Sequence, residues 1–262
     1  MTLTFKNYIV ETVGTQGLEY EKKVYKAMVD AGISGLNVGD KPAAGFSNQG
    51  AGDIEASYNG KAFNIEIKLS SKEQMGGTSF RYDMGTSTFT PTKEMDLDDL
   101  DLFMPIMKQK AKDIDNYIKA SHQEEPKEFH KQNSGVPIKV SVETRNTLKK
   151  KGLTGKIATN IKAPISFIIK HYNKKGVYYI NIGGAGLFYM GKNPFNLDVP
   201  ELKAEIQVEL GLRFGGSKLS FPTEPKTPAR TAGLRIQGRM LTKAKSKYNL
   251  DNPTDVKKLF GA

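Results

Sequence analysis

The dipeptide Asn59-Gly60 constrains this chain more than any other feature. It separates two segments of regular polarity, Asp53–Tyr58 and Lys61–Leu69. Asn-Gly is the pair that a two-residue type I′ turn prefers, because both turn positions need a positive φ. In the second segment Phe63, Ile65, Ile67 and Leu69 alternate with Asn64, Glu66 and Lys68, so one face is apolar and the other polar. The turn fixes the register: Tyr58 pairs with Lys61, and Asp53 falls opposite Glu66. Directly opposed residues hold their Cβ atoms about 4.5–5.5 Å apart. Two carboxylates that close repel unless a cation lies between them, so the register itself points to a divalent metal. Lys68 projects from the same face, where an ammonium can orient water or stabilise charge building on a phosphate.

Ahead of the hairpin a helix is expected over about Thr15–Ala31. Leu18, Glu21, Val24/Tyr25, Met28 and Ala31 recur at helical spacing, and Gly32 is a stop signal. Glu21 is thus an acid on an apolar stripe, while Glu19, Lys22, Lys23 and Lys26 face solvent. A short extended piece follows near Gly35–Val38, then a small-residue loop, Pro42–Gly52, without the Gly-Lys-Ser/Thr of a P-loop. Ser70–Pro91 reads as a loop holding a short helix near Ser71–Met75. An acidic helix is expected over about Glu94–Ser121, kinked or restarted at Pro105, and Gln123–Gly135 reads as a linker. Beyond it the pattern is of strands. Ile165–Tyr172 and Val177–Ile182 form an expected hairpin around Asn173–Gly176. A turn at Gly183–Gly186 leads to a short strand, Leu187–Met190. Longer strands carry Ile206, Val208, Leu210, Leu212 and Phe214, and then Leu234 and Ile236. Ser220–Pro228 reads as an extended loop.

Asp53, followed after a turn by Glu66-Ile67-Lys68 in an apolar strand, resembles the PD-(D/E)XK nuclease superfamily. Its core is a helix, a three-stranded meander, a second helix and a further strand, and the likeness covers about residues 15–80. The resemblance implies that Asp53 and Glu66 are metal ligands, with the Ile67 carbonyl as another, and that Lys68 is the catalytic lysine. The implied cofactor is Mg²⁺, with Mn²⁺ as its substitute. Resolvase-like members add a first-helix glutamate, and Gly17-Leu-Glu-Tyr-Glu21 is similar to that helix start. Glu21 is preferred to Glu19 because it lies on the inward stripe. The first acid follows Gly52, where the motif has proline. Glu55 and Gln74 are read as exposed side chains, and Ser70 and Ser71 are left unassigned.

Charge divides along the chain. The total of +11 is made of 15 Lys/Arg and 20 Asp/Glu in residues 1–130, against 24 and 8 in residues 131–262. An acidic-leaning half beside a basic half suggests that carboxylate chemistry and polyanion binding are separated. The basic candidates for DNA are Arg213, Lys218, Arg230, Arg235, Arg239 and Lys243. Gln237, between Arg235 and Arg239 on one strand face, could reach a base edge. With no cysteine there is no disulfide scaffold and no cysteine zinc site, and His122, His130 and His171 lack metal-ligand spacing. No apolar run approaches the roughly 18–20 residues of a membrane helix.

The expected fold is α/β: a restriction-endonuclease-like αβββαβ core with an added, mainly β, basic C-terminal region. Residues 1–130 would hold the catalytic core and an acidic helical insertion. Residues 131–262 would contact DNA, as a second domain or as the completion of the first. The expected activity is metal-dependent DNA endonuclease. A Holliday-junction or branched-DNA resolvase and a non-catalytic DNA-binding protein on the same scaffold are the alternatives, and a homodimer is left open. The expected setting is the cytoplasm of a bacterial or phage-infected cell, with no membrane partner.

Overall fold

The computed structural model describes residues 5–40, 52–95, 97–125, 137–153, 155–220, 223, 229 and 231–261. The protein is mixed α/β, with two mostly antiparallel sheets. It divides into two compact units. One comprises residues 1–73, 164–208 and 240–262, and the other residues 74–163 and 209–239. A boundary after residue 130 therefore does not describe the molecule. The second unit is inserted into the first, because the last strand of the Asn-Gly hairpin finds its next neighbour only after residue 164.

The first unit opens with helix α1, Phe5–Ala31. It is longer than its apolar spacing indicates, and Gly32 ends it at φ +59°. Its buried face is Tyr20, Val24, Ala27, Met28 and Ala31, whereas Leu18 is exposed. Strands β1 (Leu36–Val38), β2 (Ile54–Tyr58) and β3 (Lys61–Lys68) follow as an antiparallel meander. Asn59 and Gly60 take φ +50° and +75°, as a type I′ turn requires. The register is the one the turn dictates, with Tyr58 opposite Lys61 and Ile54 opposite Ile65.

The chain returns to this unit in helix α4 (Ile165–Asn173). It then enters strand β8 (Val177–Ile182), which lies parallel to β3, and strand β9 (Gly186–Tyr189) closes the sheet order β1-β2-β3-β8-β9. Ile165–Tyr172 is thus a helix and no half of a hairpin. Its β-branched and aromatic residues read as a strand, but Ile165, Ile168 and Tyr172 recur on one helical face, with Ile168 and Tyr172 buried. A closing helix, α5 (Pro253–Phe260), is capped by Asn252 and ended by Gly261. The core gathers Val24 and Met28 of α1, Phe63, Ile65 and Ile67 of β3, Leu187 of β9, and Val256 and Phe260 of α5.

In the second unit Ser70–Pro91 is no loop with a short helix. It contains strands β4 (Gln74–Asp83) and β5 (Thr88–Pro91), joined by a turn whose Gly85 and Thr86 amides donate to Asp83 Oδ1. Helix α2 (Leu97–Glu124) runs through Pro105 without ending. Then come β6 (Pro137–Lys139), helix α3 (Val142–Lys150) capped by Ser141, and β7 (Lys156–Ala163), none of them evident from the sequence pattern. The long strands β10 (Gln207–Ser220) and β11 (Thr231–Leu241) complete a sheet ordered β5-β4-β11-β10-β6, with β7 also pairing β10. Residues 42–51 of the expected small-residue loop, residues 126–135 of the expected linker, and most of the expected loop over 220–228 lie outside the described residues. Among the described residues no helix is long and apolar enough to cross a membrane.

Candidate active site

The polar face of β3 builds the site. Because the side-chain period of a strand is two, Glu66 and Lys68 point the same way, away from the core residues Ile65 and Ile67. Asp53 stands one residue before β2 begins, so the hairpin register carried one step further sets it opposite Glu66. Its position is secured from the neighbouring strand: the Ile67 amide donates to Asp53 Oδ2 at 2.8 Å. Gly52 makes this approach possible. A Cβ there would stand 2.5 Å from the Ile65 carbonyl oxygen and 2.9 Å from its nitrogen, so no proline or alanine fits without moving the strand.

Lys68 joins the two acids. Its Nζ lies 2.5 Å from Glu66 Oε1 and 3.8 Å from Asp53 Oδ2. Glu66 is only 8% exposed, and its Oε1 also accepts a 2.8 Å hydrogen bond from Tyr172 Oη on α4. Burial by itself would depress the Lys68 amine. Tyr172, Glu66 and Asp53 together more than offset it and hold the amine well above its usual range. Tyr172, fully buried beside Glu66, is itself held well above the usual phenol range, first by burial and against the pull of Lys68.

Glu21 reaches the same place from α1. Burial, then the Asp53 carboxylate, push its carboxyl up to about 7, against the opposing influence of Lys68 and with further repulsion from Glu66 and Glu73. Its Oε2 is buried and makes no hydrogen bond. Asp53 is likewise pushed up to about 6 by burial and by Glu66, with Lys68 and the Ile67 amide pulling the other way. Glu73, in the turn closed by its own amide on the Ser70 carbonyl, is raised by burial and lowered by Lys68. Four carboxyls thus share one lysine, and three of them, Glu21, Asp53 and Glu73, are raised above the ordinary carboxyl range.

Among the described residues no group of three or more His, Cys, Asp or Glu side chains is gathered in a metal-holding arrangement; the Lys68 ammonium bridges Asp53 and Glu66. The residues nonetheless fit a hard divalent cation. Every side-chain donor on offer is a carboxylate oxygen, one of them is buried and unpartnered, and the raised acids mark a place short of positive charge.

The other sequence candidates fall elsewhere. Glu55 is exposed on β2 opposite Asn64, and Gln74 is exposed at the start of β4. Arg213 on β10 and Arg235 on β11 are half-buried, and the Arg235 guanidinium is lowered first by burial and then by Arg213, which places the two cations near one another. Gln237 corrects the expectation: it is buried on β11 beside a register shift between Gln237 and Gly238, unlike the half-buried Arg235 and exposed Arg239, so little of it is left to reach a base edge. Arg239 and Lys243 are exposed. Lys218 is described only by its backbone, paired with Lys139, and Arg230 lies outside the described residues, as does His130. Two residues were missed by sequence reasoning. Tyr172 carried a signal, its helical spacing from Ile165 and Ile168; Glu73 carried none.

No family model, curated protein or solved structure matches this chain at a significant level. The reading of the site therefore rests on its geometry and chemistry.

Proposed function

We propose that the chain is a Mg²⁺-dependent DNA endonuclease working by a PD-(D/E)XK mechanism. The observation that carries this reading is the convergence of Asp53 and Glu66 on Lys68 Nζ at the end of a buried strand. Supporting it, the elements of the first unit, α1, β1, β2, β3, α4 and β8, follow in the order αβββαβ that the resemblance implies, although α4 and β8 come only after the inserted residues 74–163 and not within residues 15–80.

Asp53, Glu66 and the Ile67 carbonyl would hold the cation, with Glu21 assisting. Bound there, a divalent ion supplies Lewis acidity toward a phosphoryl oxygen and lowers the pKa of water. The chain's own groups do the rest. The Ile67 amide fixes one oxygen of Asp53, Tyr172 fixes one oxygen of Glu66, and the Lys68 ammonium orients the nucleophilic water and balances charge on the phosphate. Arg213 and Arg235, two cations set close together, are read as contacts to the DNA backbone. The approach of Glu21 to the site favours a second reading within the same chemistry, a branched-DNA resolvase.

The test is cleavage of supercoiled plasmid and of a four-way junction, each with Mg²⁺ and with EDTA. Plasmid nicking that needs Mg²⁺ supports the endonuclease, and paired symmetric incisions confined to the junction support the resolvase. DNA binding without metal-dependent cleavage of either substrate overturns both and leaves a binding protein.

A further inference from the structure

The sheet of the second unit has one covered face and one open face. Helix α2 covers the first: the Phe80 ring meets Phe103 edge-on at 6.2 Å, and Tyr82 Oη donates to Asp115 Oδ1 at 2.8 Å. Successive side chains of a strand alternate, so Ser79 and Arg81 of β4 stand on the opposite face. The register sets Arg235 of β11 opposite Ser79 and Gly233 opposite Arg81. Arg81 and Arg235 are therefore diagonal neighbours, about 7–8 Å apart at the backbone. Thr90 of β5 flanks Arg81 on its other side. On β10, Val208, Leu210 and Leu212 are buried, which turns Gly211 and Arg213 to the open face. A Cβ on Gly211 would meet only the Gln237 carbonyl oxygen, at 4.0 Å, so among the described residues nothing lies over the sheet there. Ser79, Arg81 and Thr90 are exposed, and Arg213 and Arg235 are half-buried and near enough for their charges to oppose one another. Among the described residues none of the three arginines has an ion-pair or hydrogen-bond partner. The acids of this face stand at its margins: Glu209 near the start of β10, and Asp83, whose Oδ1 is held by the Gly85 and Thr86 amides. Like charges side by side on a sheet cost stability. A row of three unpaired guanidiniums is the charge-reversed counterpart of Asp53 and Glu66, and it calls for an anion.

We propose that this open face docks the backbone of duplex DNA, with Arg81, Arg235 and Arg213 each taking a phosphate. The proposal rests on the nuclease reading for DNA as the ligand, and adds the form of that DNA and the part played by Arg81. Two observations choose among anions. The cations are spread over three neighbouring strands, β4, β11 and β10, with the Ser79 and Thr90 hydroxyls beside them, so the surface matches a chain of phosphates better than one small ion. Single-stranded nucleic acid is held largely by stacking its bases on aromatic rings. The phenylalanines and tyrosines of this unit with described side chains, Phe80, Tyr82, Phe89, Phe103 and Tyr117, are all buried. The face thus offers guanidiniums and hydroxyls to phosphate oxygens and no ring to an unstacked base, which suits DNA whose bases are already paired.

The test is binding by the full chain in EDTA, where cleavage plays no part. Fluorescence anisotropy is read for a labelled duplex and for one of its strands alone, across a series of salt concentrations, with wild type, R81Q and T90K. The control for lost charge is K149Q/K150Q, exposed on α3, which packs on α2 through Thr144. Each phosphate contact contributes about 0.9 to the slope of log K against log salt. R81Q is expected to bind the duplex roughly five- to tenfold more weakly near 0.1 M salt, with a slope smaller by about 0.9, while the control changes less per charge removed. T90K adds a cation beside Arg81 and is expected to tighten duplex binding by a similar factor, with a slope larger by about 0.9. Wild type is expected to hold the duplex about tenfold or more tightly than the single strand. An R81Q protein that matches wild type, or loses no more per charge than the control, overturns the proposal. Equal or tighter binding of the single strand does so too, as does displacement of DNA by inorganic phosphate at matched ionic strength. Thermal melting identifies a loss caused by misfolding of R81Q; T90K then decides, and unchanged duplex affinity in that folded variant overturns the proposal. The two readings fail separately. Metal-dependent cleavage with binding indifferent to Arg81 retains the nuclease and removes the docking face, whereas Arg81-dependent duplex binding by a protein that cuts nothing retains the docking face and removes the nuclease.

Discussion

Tyr172 Oη donates a 2.8 Å hydrogen bond to Glu66 Oε1 across 106 residues of chain, and both side chains are buried. The phenol and the Lys68 ammonium thus hold the same carboxylate oxygen. Glu66 is placed by two partners, one of them far along the chain, before any ligand arrives. Tyr172→Phe keeps the ring and removes the bond. Hydrogen bonds to charged groups are worth about 1.5–3 kcal/mol, and groups that orient metal ligands typically affect metal affinity or activity by about 10–100-fold. The variant should melt lower and cleave about 10–100-fold more slowly, with a higher Mg²⁺ requirement. Cleavage against Mg²⁺ concentration measures this, and an unchanged requirement would show that Tyr172 only fills space.

Metal-free stability should fall as pH rises. Asp53 is pushed up to about 6 and Glu21 to about 7, above the range of about 4 that carboxyls have in an unfolded chain. A raised folded pKa means that the native protein keeps protons the unfolded chain has released. The contribution is complete below about pH 4 and is lost as pH rises through about 6 to 7. A divalent cation favours the ionised acids. In EDTA the melting temperature should therefore decline between about pH 5 and pH 8, and Mg²⁺ should raise it more at the higher pH. An equal Mg²⁺ effect at both pH values would argue against cation binding at these carboxyls.

Gly52→Ala should destabilise the hairpin by about 1–3 kcal/mol, the usual cost of overpacking, because its Cβ would meet the Ile65 backbone. Displacing Gly52 also displaces Asp53. Urea unfolding and cleavage should both report the change, and a variant of wild-type stability would show that the strand gives way to the added methyl.

Arg235→Ala should weaken DNA binding and reduce its salt slope by about 0.9. Removing one of two neighbouring guanidiniums also relieves the other, so folding stability should not suffer. Unchanged affinity and slope would remove Arg213 and Arg235 from the DNA surface.

The hairpin and the meeting of Asp53, Glu66 and Lys68 on it were legible in the sequence because both are local. Turn stereochemistry at Asn59-Gly60 sets the register, and the register alone brings Asp53 toward Glu66. Glu21 was legible as an acid on an apolar helical stripe, although the stripe itself runs through Tyr20, Val24 and Met28 and leaves Leu18 outside. The run from Ile165 to Tyr172 satisfied strand propensity and helical spacing together, and propensity misled. That single error hid the second helix, the parallel partner of β3 and the phenol on Glu66. The division of the chain was hidden for a related reason. β3 pairs with β8 across an inserted unit, and no composition shift marks a partner so far along the chain. Gln237 failed because alternation assumes an unbroken ladder, and the register shifts between Gln237 and Gly238.

The central claim is that Asp53, Glu66 and Lys68 form a metal-dependent hydrolytic site. Single-turnover cleavage of supercoiled plasmid in Mg²⁺, by wild type and by Lys68→Ala, tests it most directly. Removing the lysine should lower the rate by at least about 100-fold, the lower part of the range for a group acting in proton transfer or charge stabilisation, while DNA binding in EDTA persists. Equal rates for the two proteins, at equal folded fraction, would contradict the assignment.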